Sequence, residues 1–517
     1  MDILLIMLPI IVVLGLLVVA KWPADTSGLI GWLLTLIIAF LFFHTSIRVS
    51  LASTVMGMVR SFPVSLMVAT SILQITFLES TGALQRIVAF VKTIARNNHA
   101  VQIMIINMGI GTLLVSVGAT PVSILPPIML AMGYSTFVAV ALPALGFDAL
   151  CTYALLGAPL VAFADLTGTP LVDSALVFSK FMPIISTMIG FGMLWVVGGW
   201  KKVVEGFFPC LLAGVTMGFT AVGVAHYLPQ GIVLTGIFAG LATILIMIAY
   251  LKIQGHAVID RSEIGAADLE TEHSMSLLRA LSPWIILIIC CLVVNFWTPA
   301  LDLLSKKLAM PFGLIPGAKP IPTRMLWNAY TWVVISTILA LPFITPTKAQ
   351  WKEIGSKWIR RAPRPVFSAA IFFAIAELMV NSGMTPQGEV WKIVNPDWNM
   401  ISVLANTSAN FFKDLYPIVA AYLGLMGGFI TGSEASTIAL YAKYNLMTTK
   451  LLSLDPLVVT AGIAIAGGLA SVISPAKLQN AAATIDALGI ESQVIKTAIL
   501  VSVIFTAVAA ALTFMWA

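Results

Sequence analysis

The sequence predicts an all-α polytopic membrane protein with about twelve transmembrane helices and two re-entrant hairpins, arranged as an inverted repeat. Composition is the first of three observations behind this fold class. Of the 517 residues, 59% are hydrophobic and 10% are charged, and the mean hydropathy is +1.01, whereas soluble domains carry about 25% charged residues. The second observation is a series of apolar runs of transmembrane length. The third is a pair of apolar segments that small and polar residues interrupt.

Twelve apolar runs have the length of complete crossings, because about 20 apolar residues span a hydrocarbon core as a helix. In chain order they are roughly 3–20, 28–43, 63–82, 135–164, 174–198, 204–228, 231–251, 280–297, 325–346, 366–383, 455–489 and 496–516. Two more apolar segments, 101–133 and 413–446, break in the middle and are the predicted hairpins. We expect no cleavable signal peptide, because the first run lacks a basic stretch before it and another span follows at once.

The connections between spans are short and polar, so we expect no separate soluble domain. Residues 1–200 form a predicted first repeat, which contains the N-terminal helices and a hairpin with its tip near 118–121. Residues 201–324 form linking scaffold helices and loops. Residues 325–517 form the predicted second, inverted repeat, with a hairpin tip near 431–434.

Basic residues set the predicted orientation. Segment 347–364 contains six basic residues and one acidic residue, segment 83–98 contains three basic residues and no acidic residue, and Lys201 and Lys202 follow another span. Basic loops favour the cytoplasmic side of a membrane. Placing all three there puts both termini outside, although the basic residues of loop 298–324 would then face outside as well.

Short motifs recur in the same order in the two halves. "RSFPV" (60–64) returns as "PRPV" (363–366), "SVGATPVSIL" (116–125) stands where "ITGSEASTIA" (430–439) stands, and 146–168 matches 467–489 in length. The span at Pro63 would run inward, whereas its counterpart at Pro365 would run outward. The copies are therefore predicted to be inverted, which is typical of secondary transporters with a substrate site between the repeats.

Each predicted hairpin has a tip of small and polar residues. Backbone that is not helical at membrane depth is tolerated only inside protein or beside a wet cavity. Helices that begin near Thr120 and at Ser433, the latter a predicted N-cap, would present free N–H groups to an anion. Candidate substrate-binding residues at the tips and in the interrupted helix that follows are Ser116, Gly118, Thr120, Thr431, Gly432, Ser433, Ser436, Ser474, Lys477 and Asn480. The alternative is that both tips are only capped kinks.

Three charged residues are predicted to lie within the membrane: Asp148, Glu434 and Lys477. A charge at the bilayer centre costs about 2.5–3.5 kcal/mol even on insertion scales, so such residues usually serve ion or substrate paths. Either carboxyl group could take up a coupling proton, because burial disfavours the charged form of a carboxylic acid. Lys477 could bind a substrate carboxylate. The alternative is an internal ion pair of Lys477 with Glu434 or Asp148.

The stretch "GGFITGSEASTIALYA" (427–442), followed by Gly467-Gly468 and Ile473-Ser474-Pro475, resembles the L-lactate permease family. The resemblance implies a proton-coupled symporter of a small 2-hydroxy monocarboxylate, such as L-lactate or glycolate, in a prokaryotic inner membrane. It also implies an elevator motion, in which a domain with the hairpins slides against a scaffold that contains spans 204–297.

A sodium-coupled or exchange carrier for another organic anion, such as a dicarboxylate or a sulfonate, is the alternative function. A channel is disfavoured by the inverted hairpins, and an enzyme acting on lipids is disfavoured because paired aspartates and Ser/His sites are missing from the sequence. The five histidines and four cysteines show no metal spacing, so we expect no metal and no other cofactor. The expected partners are a small organic anion, a proton or sodium ion, and the bilayer, but not nucleic acid; a homodimer stays open.

Overall fold

The computed structural model of the chain describes residues 2–18, 20, 22–95, 98–262, 265–318, 320–387, 389–487 and 489–517. These residues are helical apart from turns and two small antiparallel sheets, which confirms the predicted all-α class. The sheets are β1 (Pro311–Phe312) with β2 (Ile321–Pro322), and β3 (Met384–Gln387) with β4 (Val390–Ile393).

The first half of the chain contains thirteen α-helices within the described ranges. They are α1 (Asp2–Val18), α2 (Ala24–Phe42), α3 (Ile47–Arg60), α4 (Phe62–Ser80), α5 (Ala83–Val91), α6 (His99–Ile103), α7 (Gly111–Ser116), α8 (Pro121–Ala131), α9 (Thr136–Gly146), α10 (Ala154–Thr167), α11 (Leu171–Glu205), α12 (Phe207–Tyr227) and α13 (Thr235–Ile253). A π-helix, Met104–Ile110, joins α6 to α7, and 3-10 helices occupy Phe147–Tyr153 and Pro229–Leu234.

The described part of the second half contains twelve. They are α14 (Ala266–Ser274), α15 (Leu277–Phe296), α16 (Thr298–Asp302), α17 (Ala329–Leu339), α18 (Lys348–Arg361), α19 (Pro363–Val380), α20 (Met400–Phe412), α21 (Tyr416–Thr431), α22 (Glu434–Leu452), α23 (Pro456–Gly468), α24 (Pro475–Ala483) and α25 (Glu491–Trp516). Shorter turns are the π-helix Leu303–Lys307 and the 3-10 helices Pro396–Trp398, Lys413–Leu415 and Ser471–Ile473.

Local sequence accounts for many helix starts. Ser46, Asn98, Ser135 and Ser276 each accept a hydrogen bond from a backbone N–H three residues further on, at the starts of α3, α6, α9 and α15. Such caps satisfy donors that a first helical turn leaves without partners. Thr347 adds a full capping box at α18, so the basic segment predicted for the cytoplasmic side forms a helix.

Twelve helices in the described ranges are long and apolar enough to cross a membrane, in agreement with the predicted number. The two sets share ten members: His99–Ser116 and Met400–Thr431, which overlap the predicted hairpins 101–133 and 413–446, take the place of the predicted spans 3–20 and 325–346. Predicted span 325–346 contains only the eleven-residue α17, which is about 16 Å long and shorter than a hydrocarbon core. The first predicted span, 3–20, overlaps α1, whose apolar stretch Leu4–Leu16 is shorter than the twelve candidate spans.

The two halves show corresponding contacts. Helix α11 packs against α9 and segment 147–153, and α25 packs against α23 and segment 471–473. These are the contacts that a duplicated unit would repeat, whereas the inversion of the copies stays a prediction.

Glycines allow a close helix crossing in the second half. A Cβ atom added at Gly424 or Gly428 of α21 would lie 2.1 or 2.0 Å from the carbonyl oxygens of Ile463 or Gly467 in α23. Small residues at such crossings let two backbones approach closely. This contact fixes hairpin two, formed by α21 and α22, against α23.

Candidate functional site

Four interruptions of the helical backbone meet around segment 147–153. The turns between α7 and α8 and between α21 and α22 are two of them, and segments 147–153 and 471–473 are the others. Segment 147–153 contacts α7, α22 and segment 471–473. The structure therefore brings both hairpins to one place through this segment.

Hairpin one consists of the 99–116 helix and α8, and its arms run antiparallel. The side-chain amide of Asn107 lies 3.6 Å from the sulfur of Met129, and a Cβ atom at Gly111 would contact Leu125. Gly118 forms the turn with a left-handed φ of 90°, and a Cβ atom there would lie 2.3 Å from Ser71 Oγ. A glycine is therefore required at this tip.

Two predicted binding residues flank the first tip. The hydroxyl of buried Ser116 donates 2.6 Å to the carbonyl of Thr112, so its proton is engaged by its own helix. Thr120 precedes Pro121 at the start of α8, and its side chain makes no cap hydrogen bond. Sequence reasoning missed Ser71, whose Oγ is buried against Gly118 without a hydrogen-bond partner in the described part of the chain.

Hairpin two turns at Gly432, which has a left-handed φ of 65°. Ser433 Oγ accepts 3.3 Å from the backbone N–H of Ser436, so the prediction that Ser433 is the N-cap of α22 is confirmed. Thr431 Oγ1 donates 3.0 Å to the carbonyl of Ser433 and accepts 3.1 Å from its N–H. The tip is thus a hydrogen-bonded turn that ends one helix and starts the next.

Glu434 is the first residue of α22 and is 2% exposed. The Thr152 hydroxyl donates 2.7 Å to its Oε1, while a Cβ atom at Gly468 would lie 2.8 Å from Oε2. The carboxyl group is therefore held between segment 147–153 and the end of α23. Sequence reasoning missed both contacts, although Thr152 is one of two hydroxyl residues, with Tyr153, in the interrupted stretch "FDALCTY".

Lys477 of α24 points to the same region. Its ammonium donates 2.6 Å to Ser471 Oγ and lies 3.5 Å from the ring centroid of Phe147, a cation–π contact. Asp148, the third predicted charge, has a side chain that lies outside the described residues.

Helix α24 touches both hairpins. A Cβ atom at Gly432 would lie 2.8 Å from Ser474 Oγ at the start of α24. One turn and a half later, Asn480 Nδ2 donates 2.9 Å to Ser123 Oγ in α8. The predicted residues Ser474, Lys477 and Asn480 thus lie along one short helix that links the two tips.

Segment 147–153 continues into an irregular stretch of α10. Leu155, Leu156 and Gly157 have φ values of 53°, 53° and 72°. Left-handed backbone costs roughly 1–2 kcal/mol for each residue other than glycine, and such strain clusters at functional sites. The strained stretch begins at Leu155, three residues after Thr152.

The site so described combines a buried carboxyl group, a buried hydroxyl donor and an ammonium group, each on an interrupted helix. A model of the L-lactate permease family matches residues 2–517, almost the whole chain. The chain belongs to the L-lactate permease family. The resemblance stated for residues 427–442 and 467–475 is thereby confirmed, and the site lies within the matched region.

Curated relatives of this family member align over nearly their full lengths. An L-lactate permease of Streptococcus iniae is 22% identical over 87% of this chain and 91% of the relative. The glycolate permease of Escherichia coli strain K12 is 22% identical over 99% of this chain and 95% of the relative. An L-lactate permease of Bacillus subtilis strain 168 is 22% identical over 98% and 94%, respectively.

Proposed function

We propose that this protein is a secondary active transporter that carries a small 2-hydroxy monocarboxylate, such as L-lactate or glycolate, together with a proton. The names of the curated relatives support this substrate class. The arrangement around Glu434 supports the coupling, because a buried carboxyl group that a hydroxyl donor holds, with an ammonium group on the same segment 147–153, can exchange a proton when an anion arrives.

The observation that carries the proposal is that Glu434 and Lys477 both contact segment 147–153, at Thr152 and at Phe147 respectively. Lys477 would bind the substrate carboxylate, helped by the free N–H groups at the starts of α22 and α24. Glu434 would carry the coupling proton. The hydroxyl groups at the tips, Thr431 and Ser474 among them, would bind the 2-hydroxyl group of the substrate.

The transport cycle we propose is of the elevator type. The hairpins would be re-entrant, the two repeats would be inverted, and the domain that contains the hairpins would move against the scaffold formed by residues 201–324. Corresponding contacts of α11 and α25 in the two halves support a duplication. We place the protein in a prokaryotic inner membrane with both termini outside.

The decisive experiment is uptake of labelled L-lactate and glycolate into proteoliposomes under an imposed pH gradient, with and without sodium. We expect accumulation that collapses when a protonophore removes the gradient and that does not depend on sodium. Accumulation driven by sodium alone would favour the alternative, a sodium-coupled carrier. Transport of a dicarboxylate or a sulfonate without transport of either monocarboxylate would overturn the substrate class.

A further inference from the structure

A cavity of about 90 Å³ lies beside α10, away from Glu434. Its lining includes Asp165, Thr169, Arg324 and Trp327, and a volume of this size has room for several water molecules. Arg324 belongs to loop 298–324, which the predicted topology places outside. The cavity therefore combines a charged lining with a position near one end of a transmembrane helix.

Arg324 has an unusual backbone conformation. Its φ is 39°, in the left-handed region that a non-glycine residue rarely adopts. Its carbonyl oxygen accepts from the N–H of Trp327 at 3.0 Å and from Asn328 Nδ2 at 3.1 Å, so the conformation is fixed by the turn that follows. Strain held in this way is often retained for function.

The guanidinium group of Arg324 has N–H donors that its neighbours among the described residues leave without a hydrogen bond. It lies 3.7 Å from a carboxylate oxygen of Asp165, which exceeds hydrogen-bond distance, and 5.9 Å from the centroid of the Trp327 ring. Five N–H donors in a planar fork suit a carboxylate. The geometry thus leaves donors for an anion that enters the cavity.

A second, narrower cavity continues from the first towards the site. The two share Val161 and Trp327 in their linings, and the second reaches Leu155 and Leu156. These leucines begin the left-handed stretch of α10, three residues after Thr152, whose hydroxyl binds Glu434. The two cavities therefore follow α10 from Arg324 as far as Leu155, three residues from Thr152.

We propose that the cavity at Arg324 is an anion-recruiting site and the mouth of the substrate path, in which Arg324 binds the carboxylate of an incoming 2-hydroxy acid. Asp165 holds the guanidinium in place while the cavity is empty of anions. The proposal rests on the proposed function for the identity of the anion. The anion selectivity of the cavity itself is independent of transport.

Cysteine chemistry tests the anion selectivity. Thr169, which lines the cavity, is replaced by cysteine, and the purified full-length protein in proteoliposomes reacts with sulfonatoethyl methanethiosulfonate, an anion, and with its trimethylammonium analogue, a cation. Both reagents are membrane-impermeant. Rates are corrected for the protein without Thr169→Cys, because the native Cys290 is half-buried.

We expect the anionic reagent to react faster, and Arg324→Gln to lower the anion-to-cation rate ratio by about five- to tenfold at low salt. Lys307→Gln, which removes an exposed charge from the same loop, is the matched control and should leave the ratio nearly unchanged. An unchanged ratio in Arg324→Gln, or a cysteine that neither reagent reaches, would overturn the proposal. If Arg324→Gln does not elute as a folded protein, Arg324→Lys replaces it in the experiment. This variant keeps the positive charge but removes the planar set of guanidinium N–H donors, and its anion-to-cation rate ratio should be lower than that of Lys307→Gln.

Transport kinetics test the link to the substrate. Arg324→Gln should raise KM for external lactate about five- to tenfold while the maximal rate is retained, with Arg324→Lys in between. A lowered rate ratio with unchanged KM would overturn the role as substrate mouth. If the unsubstituted protein transports neither lactate nor glycolate, the proposed function fails, whereas the cysteine experiment still decides whether the cavity selects anions.

Discussion

Thr152 donates a hydrogen bond of 2.7 Å to Glu434, and the two residues lie 282 positions apart in the chain. The contact joins the interrupted helix of the first half to the second arm of hairpin two. Because both groups are buried, the hydroxyl replaces water as the donor that a carboxylate needs. If hairpin two moves relative to segment 147–153, this hydrogen bond must break. If the two move together, the hydrogen bond stays intact.

Thr152→Val keeps the shape of the side chain but removes the donor. We expect the maximal rate of coupled uptake to fall about tenfold, since a buried acceptor without its donor costs about 1–3 kcal/mol. Thr152→Ser should restore most of the rate. Thr220→Val is the control, because the Thr220 hydroxyl only binds a carbonyl of its own helix. Equal uptake by Thr152→Val and the control would refute a positioning role.

Glu434→Gln should abolish accumulation driven by a pH gradient, because an amide of the same shape cannot exchange the proton. Counterflow, the exchange of labelled for unlabelled substrate, should continue. Glu270→Gln, at an exposed carboxylate of α14, should behave like the unsubstituted protein in both assays. Coupled uptake that survives in Glu434→Gln would assign the coupling proton to another group.

Lys477→Met should weaken substrate binding more than folding. Loss of a charge-assisted hydrogen bond is worth about 1.5–3 kcal/mol, or about ten- to hundredfold in Kd. Ligand-induced thermal shifts measure the affinity, and the Tm without ligand measures the folding. Lys201→Met removes an exposed lysine as the control. A lower Tm at unchanged affinity would make Lys477 structural.

The hairpin tips could be predicted because they follow from local rules. Gly118 and Gly432 are needed for left-handed turns, and serine, as at Ser433, is a preferred N-cap residue. The partners of these residues could not be predicted in the same way. Thr152 and Ser71 reach the site through contacts with Glu434 and Gly118, which lie far from them in sequence, and a single sequence carries no signal for such contacts.

The length of individual spans was also hard to predict. Hydropathy marks 325–346 as a crossing, yet α17 covers only Ala329–Leu339. Asn328 precedes the helix in an extended conformation, and Pro342 follows soon after its end. Proline restricts the preceding residue and interrupts helical hydrogen bonding. Apolar composition therefore overestimates a span where such residues turn the chain.

Gly428→Ala should lower Tm because the added methyl group would meet the backbone oxygen of Gly467 at 2.0 Å. Overpacking of this kind typically costs about 1–3 kcal/mol. Gly223→Ala is the matched control, since a Cβ atom there has open space and alanine favours a helix. A Tm of Gly428→Ala equal to that of the control would mean that α21 and α23 are not in close contact.

Arg60 and Glu377 form a largely buried ion pair, with 15% and 8% of their side chains exposed and two N···O distances of 3.1 and 3.5 Å. Removal of one partner of such a pair typically costs about 3–5 kcal/mol, because the other charge stays buried alone. Arg60→Met and Glu377→Gln should each lower Tm strongly. The decrease in Tm of the double variant should be smaller than the sum of the two single decreases.

The exposed pair of Lys202 and Glu205 is the control, and its variants should change Tm little. Additive effects at Arg60 and Glu377 would show that the two charges do not stabilise each other. Loss of transport in Glu377→Gln with an unchanged Tm would instead place Glu377 on the proton path.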